Sequence, residues 1–201
     1  MKIQGIDLEF DEESHTYLAD GVIVPSVTTA MKLHPLFKDK YAGIDRAILN
    51  NAARRGTSIH KTIERYCKGE EVTDYADEVR GFKFLQKQYD ITPLLNEQPI
   101  LIFNGGRPVL AGTFDLLANI GGVLTLADIK STSNLDIKYL EYQLNLYRVG
   151  LYQSYGQDVE ALAGIWLKGD KRKLEKITID DFKVKEIFDL LERGNNEQSN
   201  N

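Results

Sequence analysis

The sequence predicts a single α/β domain built on a mixed, twisted sheet with helices on both faces. Three observations carry that expectation. Apolar, β-branched runs flank Gly121-Gly122, a strand–turn–strand pattern. Helical periodicity over residues 44–68, 74–90 and 136–155 brackets the strand-like runs. Two more strand-like runs, 161–168 and 174–179, follow the 136–155 helix, and another helix follows them. A length of 201 residues suits one domain with a substantial core.

Taken in order, residues 8–28 read as a hairpin with its turn at Asp20-Gly21 and its second strand ended by Pro25. Ser26 or Thr28 can cap the helix that follows, its hydroxyl accepting from a free N–H of the first turn. Over residues 29–41, His34-Pro35 prevents a continuous helix. His15 and His34 are expected to be surface or packing residues. Residues 44–68 are helical with an interruption at Gly56, after which Thr57 or Ser58 would cap. Beyond it His60 and Glu64, four apart, share one helix face. Residues 74–90 form an amphipathic helix packed through Val79, Phe82, Phe84, Leu85 and Tyr89. Residues 99–103 are a strand, 104–107 a turn, and Pro108-Val109 leads into the central hairpin. Then Ser131 to Asn134 is a polar loop, and residues 136–155 a helix with a core stripe of Leu140, Leu144, Leu151 and Tyr155. On it Gln143 and Tyr147 face together, with Arg148 beside them. The turn between the last two strands holds Lys171, Arg172 and Lys173, either a charged hairpin tip or a phosphate-contacting edge. Residues 181–193 are the last helix, and 194–201 read as a disordered tail.

The chemistry lies in residues 110–132, LAGTFDLLANIGGVLTLADIKST. A two-residue turn at Gly121-Gly122 pairs Ile120 with Val123, which sets Asp115 opposite Asp128 and Thr113 opposite Lys130. Alternation then puts Thr113, Asp115, Leu117, Leu126, Asp128 and Lys130 on one face, and Phe114, Leu116, Ala127 and Ile129 on the other. Carboxylates directly opposite one another destabilise a sheet. At an effective dielectric near 20, unit charges about 4 Å apart repel by roughly 4 kcal/mol. A divalent cation between them turns that cost into a site, and carboxylate oxygens suit Mg²⁺ or Mn²⁺. Lys130 then stands where it can touch an anion the metal binds. A surface hairpin with both aspartates in solvent and a passive lysine is the alternative these residues leave open.

Asp115 followed by Asp128-Ile129-Lys130 on the next strand resembles the D…(D/E)-x-K signature of the PD-(D/E)XK nuclease superfamily. Ala111-Gly112-Thr113-Phe114-Asp115, Asp128-Ile129-Lys130-Ser131-Thr132, Arg55-Gly56-Thr57-Ser58-Ile59-His60 and Gln143-x-x-x-Tyr147 are similar to motifs of its RecB-like, phage-type exonuclease branch. That branch includes phage and mitochondrial genome-maintenance exonucleases. Phe114 stands where the superfamily's Pro would precede the first Asp. The resemblance implies a restriction-endonuclease-like fold, with one nuclease domain over residues 1–193. It implies a metal-dependent DNA exonuclease acting in replication, recombination or repair. The alternatives are a structure-specific or restriction-type endonuclease and a non-cleaving nucleic-acid-binding protein. His60, Asp115, Asp128 and the Ile129 carbonyl would hold Mg²⁺ or Mn²⁺, and Lys130 would act on the transition state. Glu64 would stand behind the ligands or bind a second ion. Gln143 and Tyr147 would position the DNA backbone and the lysine, with Arg55, Thr57, Ser131, Thr132 and Arg148 as further DNA contacts. Glu97, entering the preceding strand, is either near the site or a solvated strand end. A single-strand annealing or recombination protein is the partner such a nuclease would have.

Cys67 is the only cysteine, which excludes an internal disulfide and a four-cysteine iron–sulfur cluster. It reads as a small buried apolar residue. No apolar run approaches bilayer length, and the opening MKIQGIDLEFDEE is acidic rather than signal-like. A cytoplasmic protein without a membrane partner is therefore expected. The net charge of −5 argues against indiscriminate nucleic-acid binding while allowing a local basic track.

Overall fold

The computed structural model describes residues 1–11, 14 and 16–199. The expectation for His15 lies outside the described residues. Four short antiparallel strands open the chain: β1 (Lys2–Ile3), β2 (Ile6–Asp11), β3 (Thr16–Ala19) and β4 (Val22–Val24). Asp20 and Gly21, both at positive φ, make the expected two-residue turn, and Ala19 pairs with Val22 across it. This small sheet buries Leu8, Tyr17 and Val24 against Leu101 and Ala111 of the main body. The Ala111 N–H donates to the Pro25 carbonyl at 3.0 Å and tethers the two sheets. Ser26 caps α1 (Val27–Met31), its hydroxyl accepting from the Thr29 N–H at 3.0 Å. His34 is the packing residue expected, buried against Phe37 and Tyr142.

The next helix, α2 (Arg46–Cys67), corrects the expected break at Gly56: it runs through without interruption. Its cap is Asp45, whose carboxylate accepts from the Ala47 N–H at 2.7 Å, and not Thr57 or Ser58. A mid-helix glycine costs only about 1 kcal/mol, which burial of Ile59 and Ile63 offsets. α3 (Ala76–Tyr89) is bounded by left-handed Tyr75 and Asp90.

The main sheet has strand order β5 (Ile91–Asn104), β6 (Arg107–Ile120), β7 (Val123–Lys130), β8 (Ala161–Lys168), β9 (Lys171–Ile177). The first three are antiparallel, β7 and β8 are parallel, and β8 and β9 are antiparallel. The crossover from β7 to β8 is α4 (Ile137–Tyr155), capped by Asp136. One face of the sheet packs Phe114, Leu117 and Leu126 against Leu140, Leu144 and Leu151 of α4. The other packs Leu116, Ala127, Ile129 and Ile165 against Ile59 and Ile63 of α2 and Phe82 and Leu85 of α3. This is the mixed sheet with helices on both faces that the sequence predicts. β5 is longer than expected because its partner strand β6 is equally long. β9 begins at Lys171, so the basic cluster lies in a strand and not in the turn. Tyr155, expected in the core stripe of α4, is exposed, its hydroxyl donating to the Pro99 carbonyl at 2.6 Å. α5 (Asp181–Ser199) continues past Arg193, in place of a disordered tail over 194–199, and residues 200–201 lie outside the described residues. Among the described residues no helix is long and apolar enough to cross a membrane.

Candidate active site

The hairpin register holds from Ile120↔Val123 to Leu116↔Ala127 and stops there. Beyond it β7 stays with β8, pairing Asp128 with Gly164 and Lys130 with Trp166. β6 stays with β5, pairing Phe114 with Gln98 and Thr113 with Pro99. The two strands part, and the gap is occupied by Asp115, whose Oδ2 accepts from the Ile129 N–H at 2.6 Å. Asp115 and Asp128 are therefore not a directly opposed pair, which corrects the expected register at this end. The expected faces hold for Leu117 and Leu126 on one side and for Leu116, Ala127 and Ile129 on the other, and fail at Phe114. Phe114 and Leu117 lie in one core cluster, so alternation reverses across Asp115, and Thr113 instead meets the Tyr17 hydroxyl at 3.0 Å. Opposite this irregularity, Glu97 on β5 has φ 49°. A left-handed non-glycine within a strand costs on the order of 1–3 kcal/mol and is characteristic of functional sites.

This backbone brings three ligand-type side chains together. His60 Nδ1 lies 3.4 Å from Asp115 Oδ1 and 3.7 Å from Glu97 Oε1. One potential ligand atom from each of His60, Glu97 and Asp115 falls within 4.8 Å of the others, a group that could hold a metal ion. Burial works against a charged imidazole, but the Asp115 and Glu97 carboxylates outweigh it and raise the His60 pKa well above 6.5. Burial and the Asp115 charge raise Glu97 despite the pull of His60. Asp115, though buried, is held low chiefly by the charge of His60.

Asp128 stands beside this group, 1% exposed. Burial, with Asp115 adding to it, pushes its carboxyl up to about 6 against the pull of Lys130. Lys130 Nζ pairs with Asp128 Oδ2 at 2.7 Å, and among the described residues Asp128 Oδ1 has no hydrogen-bond partner. The Lys130 ammonium is desolvated, but the Asp128 and Asp115 charges keep its pKa raised. A buried carboxylate oxygen without a partner is costly unless something else meets it. With an imidazole and two further carboxylates alongside, that donor set fits a hard or borderline divalent cation.

The other expected residues divide into those at the site and those turned elsewhere. Gln143 and Tyr147 are buried on α4, and Gln143 Nε2 donates to the Tyr147 hydroxyl at 3.3 Å. Gln143, Lys130 and Thr132 line one pocket of about 170 Å³ with Lys40 and Tyr139. Lys40 and Tyr139 were not expected here: Lys40 pairs with Asp136 at 2.6 Å and lies over the Tyr139 ring. Ser131 approaches Gly56, where a Cβ would come within 3.9 Å of its hydroxyl oxygen. Thr57 is exposed on α2. Glu64 accepts from Lys68 Nζ at 2.7 Å, with its charge still felt at Glu97. Ile129 contributes its amide to Asp115. Arg55 is committed to buried Glu78, which also accepts from the Gly169 N–H at 3.1 Å. Arg148 is paired with Asp181. Lys171, Arg172 and Lys173 line a separate groove at the sheet edge.

No family model and no curated protein matches the sequence. In structure the chain is similar to an alkaline exonuclease (LHK-Exo) from Laribacter hongkongensis, with TM-score 0.45 and 12% identity over 87% of each chain. It is also similar to the protein SSO0001, with TM-score 0.40 and 18% identity over 78% of this chain. The match spans 62% of the length of SSO0001.

Proposed function

We propose that this chain is a metal-dependent DNA exonuclease of the RecB-like PD-(D/E)XK type. The observation that carries the reading is Asp128, buried and paired at Oδ2 with Lys130 but with Oδ1 unpartnered among the described residues, next to the His60–Glu97–Asp115 group. The motif order His60, Asp115, Asp128-Ile129-Lys130, Gln143-Tyr147 supports it. His60, Glu97, Asp115 and Asp128 would hold Mg²⁺ or Mn²⁺, with the Ile129 carbonyl available as a further ligand. When bound, the ion acidifies a water and draws charge from the scissile phosphate. His60 binds as neutral imidazole, so its raised proton affinity makes metal uptake release a proton. Lys130 orients the attacking water and stabilises charge on the phosphorane-like transition state. Gln143 and Tyr147, hydrogen-bonded to each other below Lys130, hold the lysine and the DNA backbone in place.

Digestion of linear and covalently closed circular duplex DNA in Mn²⁺ tests this reading. Linear DNA is expected to be degraded from its ends while the closed circle persists. Rapid loss of the circle would make the protein an endonuclease. Tight binding without cleavage of either would make it a non-cleaving DNA-binding protein.

A further inference from the structure

The main sheet ends at β9, which pairs with β8 and among the described residues has no strand on its other side. In an antiparallel ladder alternate residues turn their N–H and C=O away from the partner strand. Every second residue of Lys171–Ile177 therefore offers a donor and an acceptor outward. The pairing also fixes two faces. Arg172 lies opposite Leu167, which packs in the core under α2 and α3. Lys171 lies opposite Lys168, and Lys173 opposite Trp166. These share the α4 face with Gly164, where a Cβ would meet Leu140 Cδ1. Cations thus stand on both faces of one edge. Between α3 and the start of β9 lies a groove of about 580 Å³, lined by Phe84, Gln88, Tyr89, Asp170, Lys171 and Arg172.

The helix wall of this groove is open to solvent. Phe84 and Tyr89, expected on the packing face of α3, are 48% and 36% exposed. The Arg172 guanidinium lies over the Phe84 ring at 3.9 Å from the centroid and donates to the Asp170 carbonyl at 3.1 Å. Lys173 is paired with Glu175, while Lys171 has no ion pair among the described residues. Lysines along an edge guard it against a second copy of itself, since another β9 would set like charges side by side. The same lysines favour a strand of opposite sign. Side chains of an added strand alternate between the two faces. Acidic residues on one face would meet Lys171 and Lys173, and apolar residues on the other would enter the groove beside Phe84 and Tyr89. Backbone bonds to the edge would supply affinity, and the alternate side chains selectivity. A nucleic acid laid on one face would meet only the cations of that face and leave the edge carbonyls unpaired.

We infer that the outer edge of β9 takes up an acidic, extended segment of a partner protein as an added strand of the main sheet. The inference makes no use of the nuclease reading. The full chain, in EDTA, is titrated by fluorescence polarisation with a labelled decapeptide of alternating aspartate and valine. Binding should be saturable, and amide hydrogen exchange should slow over residues 171–177. Lys171→Glu combined with Lys173→Glu should weaken binding by roughly ten-fold or more. Both side chains are exposed, so the fold should tolerate the change. N-methylation of every peptide residue keeps its charge and removes its backbone donors, and it should also cost roughly ten-fold or more. Equal affinity for the N-methylated peptide or for a lysine–valine decapeptide would overturn the added strand, as would protection confined to other segments. Protection of 171–177 by oligodeoxythymidine but not by the peptide would make the edge a nucleic-acid surface instead. Cleavage is not read in this experiment, so the two readings separate. A protein that degrades DNA but ignores the peptide loses only the added strand. One that binds the peptide but never cleaves with Mg²⁺ or Mn²⁺ loses only the nuclease.

Discussion

Burial, reinforced by Asp115, raises the Asp128 carboxyl from 3.8 to about 6, and burial raises Glu97 in the same direction. A proton held more tightly by the folded chain than by the unfolded one stabilises the fold at low pH. For Asp128 that stabilisation is complete below 3.8 and is lost as pH rises through about 6, a loss of roughly 2–3 kcal/mol in the metal-free protein. His60, also raised, adds a loss of the same sign that begins above 6.5. Asp115, held low, runs the other way and loses its contribution on acidification. Asp128→Asn removes that titration together with its upward pull on His60 and Lys130. Denaturant unfolding in EDTA should find the variant more stable than the parent at pH 7, with the advantage gone near pH 4. A variant less stable at pH 7 would mean that Asp128 has partners in the folded chain that offset its burial. Glu97→Gln should keep the fold and weaken Mn²⁺ binding at least ten-fold by calorimetry, as expected for a ligand. Unchanged affinity would return Glu97 to a solvated strand end.

At the scale of elements, the site depends on how closely α4 approaches the sheet. Gly150 makes that approach possible: a Cβ there would penetrate Ile100 Cδ1 and stand 3.0 Å from Ile102 Cγ1. Gly150→Ala should destabilise the protein by about 1–2 kcal/mol, overpacking exceeding the gain in helix propensity. Gly112 lies where a Cβ would come within 2.8 Å of Tyr147 Cε1. Gly112→Ala should therefore disturb the Tyr147–Gln143 pair and lower cleavage more than thermal stability. Equal loss of both would assign Gly112 to packing alone. Much of this arrangement was legible in the sequence. The Gly121-Gly122 turn set the register as far as Leu116↔Ala127, and α4 and β8 fell close to their expected bounds. The parting of β6 and β7 was not legible, because it depends on the Ile129 amide bonding the Asp115 side chain. Nor was the positive φ of Glu97, since nothing local marks that glutamate as left-handed. Gly56 looked like a helix break, and tertiary packing through Ile59 and Ile63 overrode that local preference. The ion pairs of Arg55 and Arg148 were not legible, because sequence names a cation but not its partner, and Glu78 and Asp181 lie 23 and 33 residues away.

The whole molecule carries a net charge of −5, yet its acids and cations are sorted. The His60 imidazole of α2 and carboxylates from β5, β6 and β7 converge on the gap in the sheet, while Lys171, Arg172 and Lys173 lie two strands away on β9. The central claim is that this gap cleaves DNA with a bound divalent ion and Lys130. The most direct measurement is nucleotide release from end-labelled linear DNA in Mn²⁺, by the parent protein and by Lys130→Ala at matched DNA occupancy. The parent should degrade the substrate, stop in EDTA, and lose roughly 10²–10⁴ in rate on removal of the lysine. Release that persists in EDTA, or a Lys130→Ala rate near that of the parent, would contradict the account.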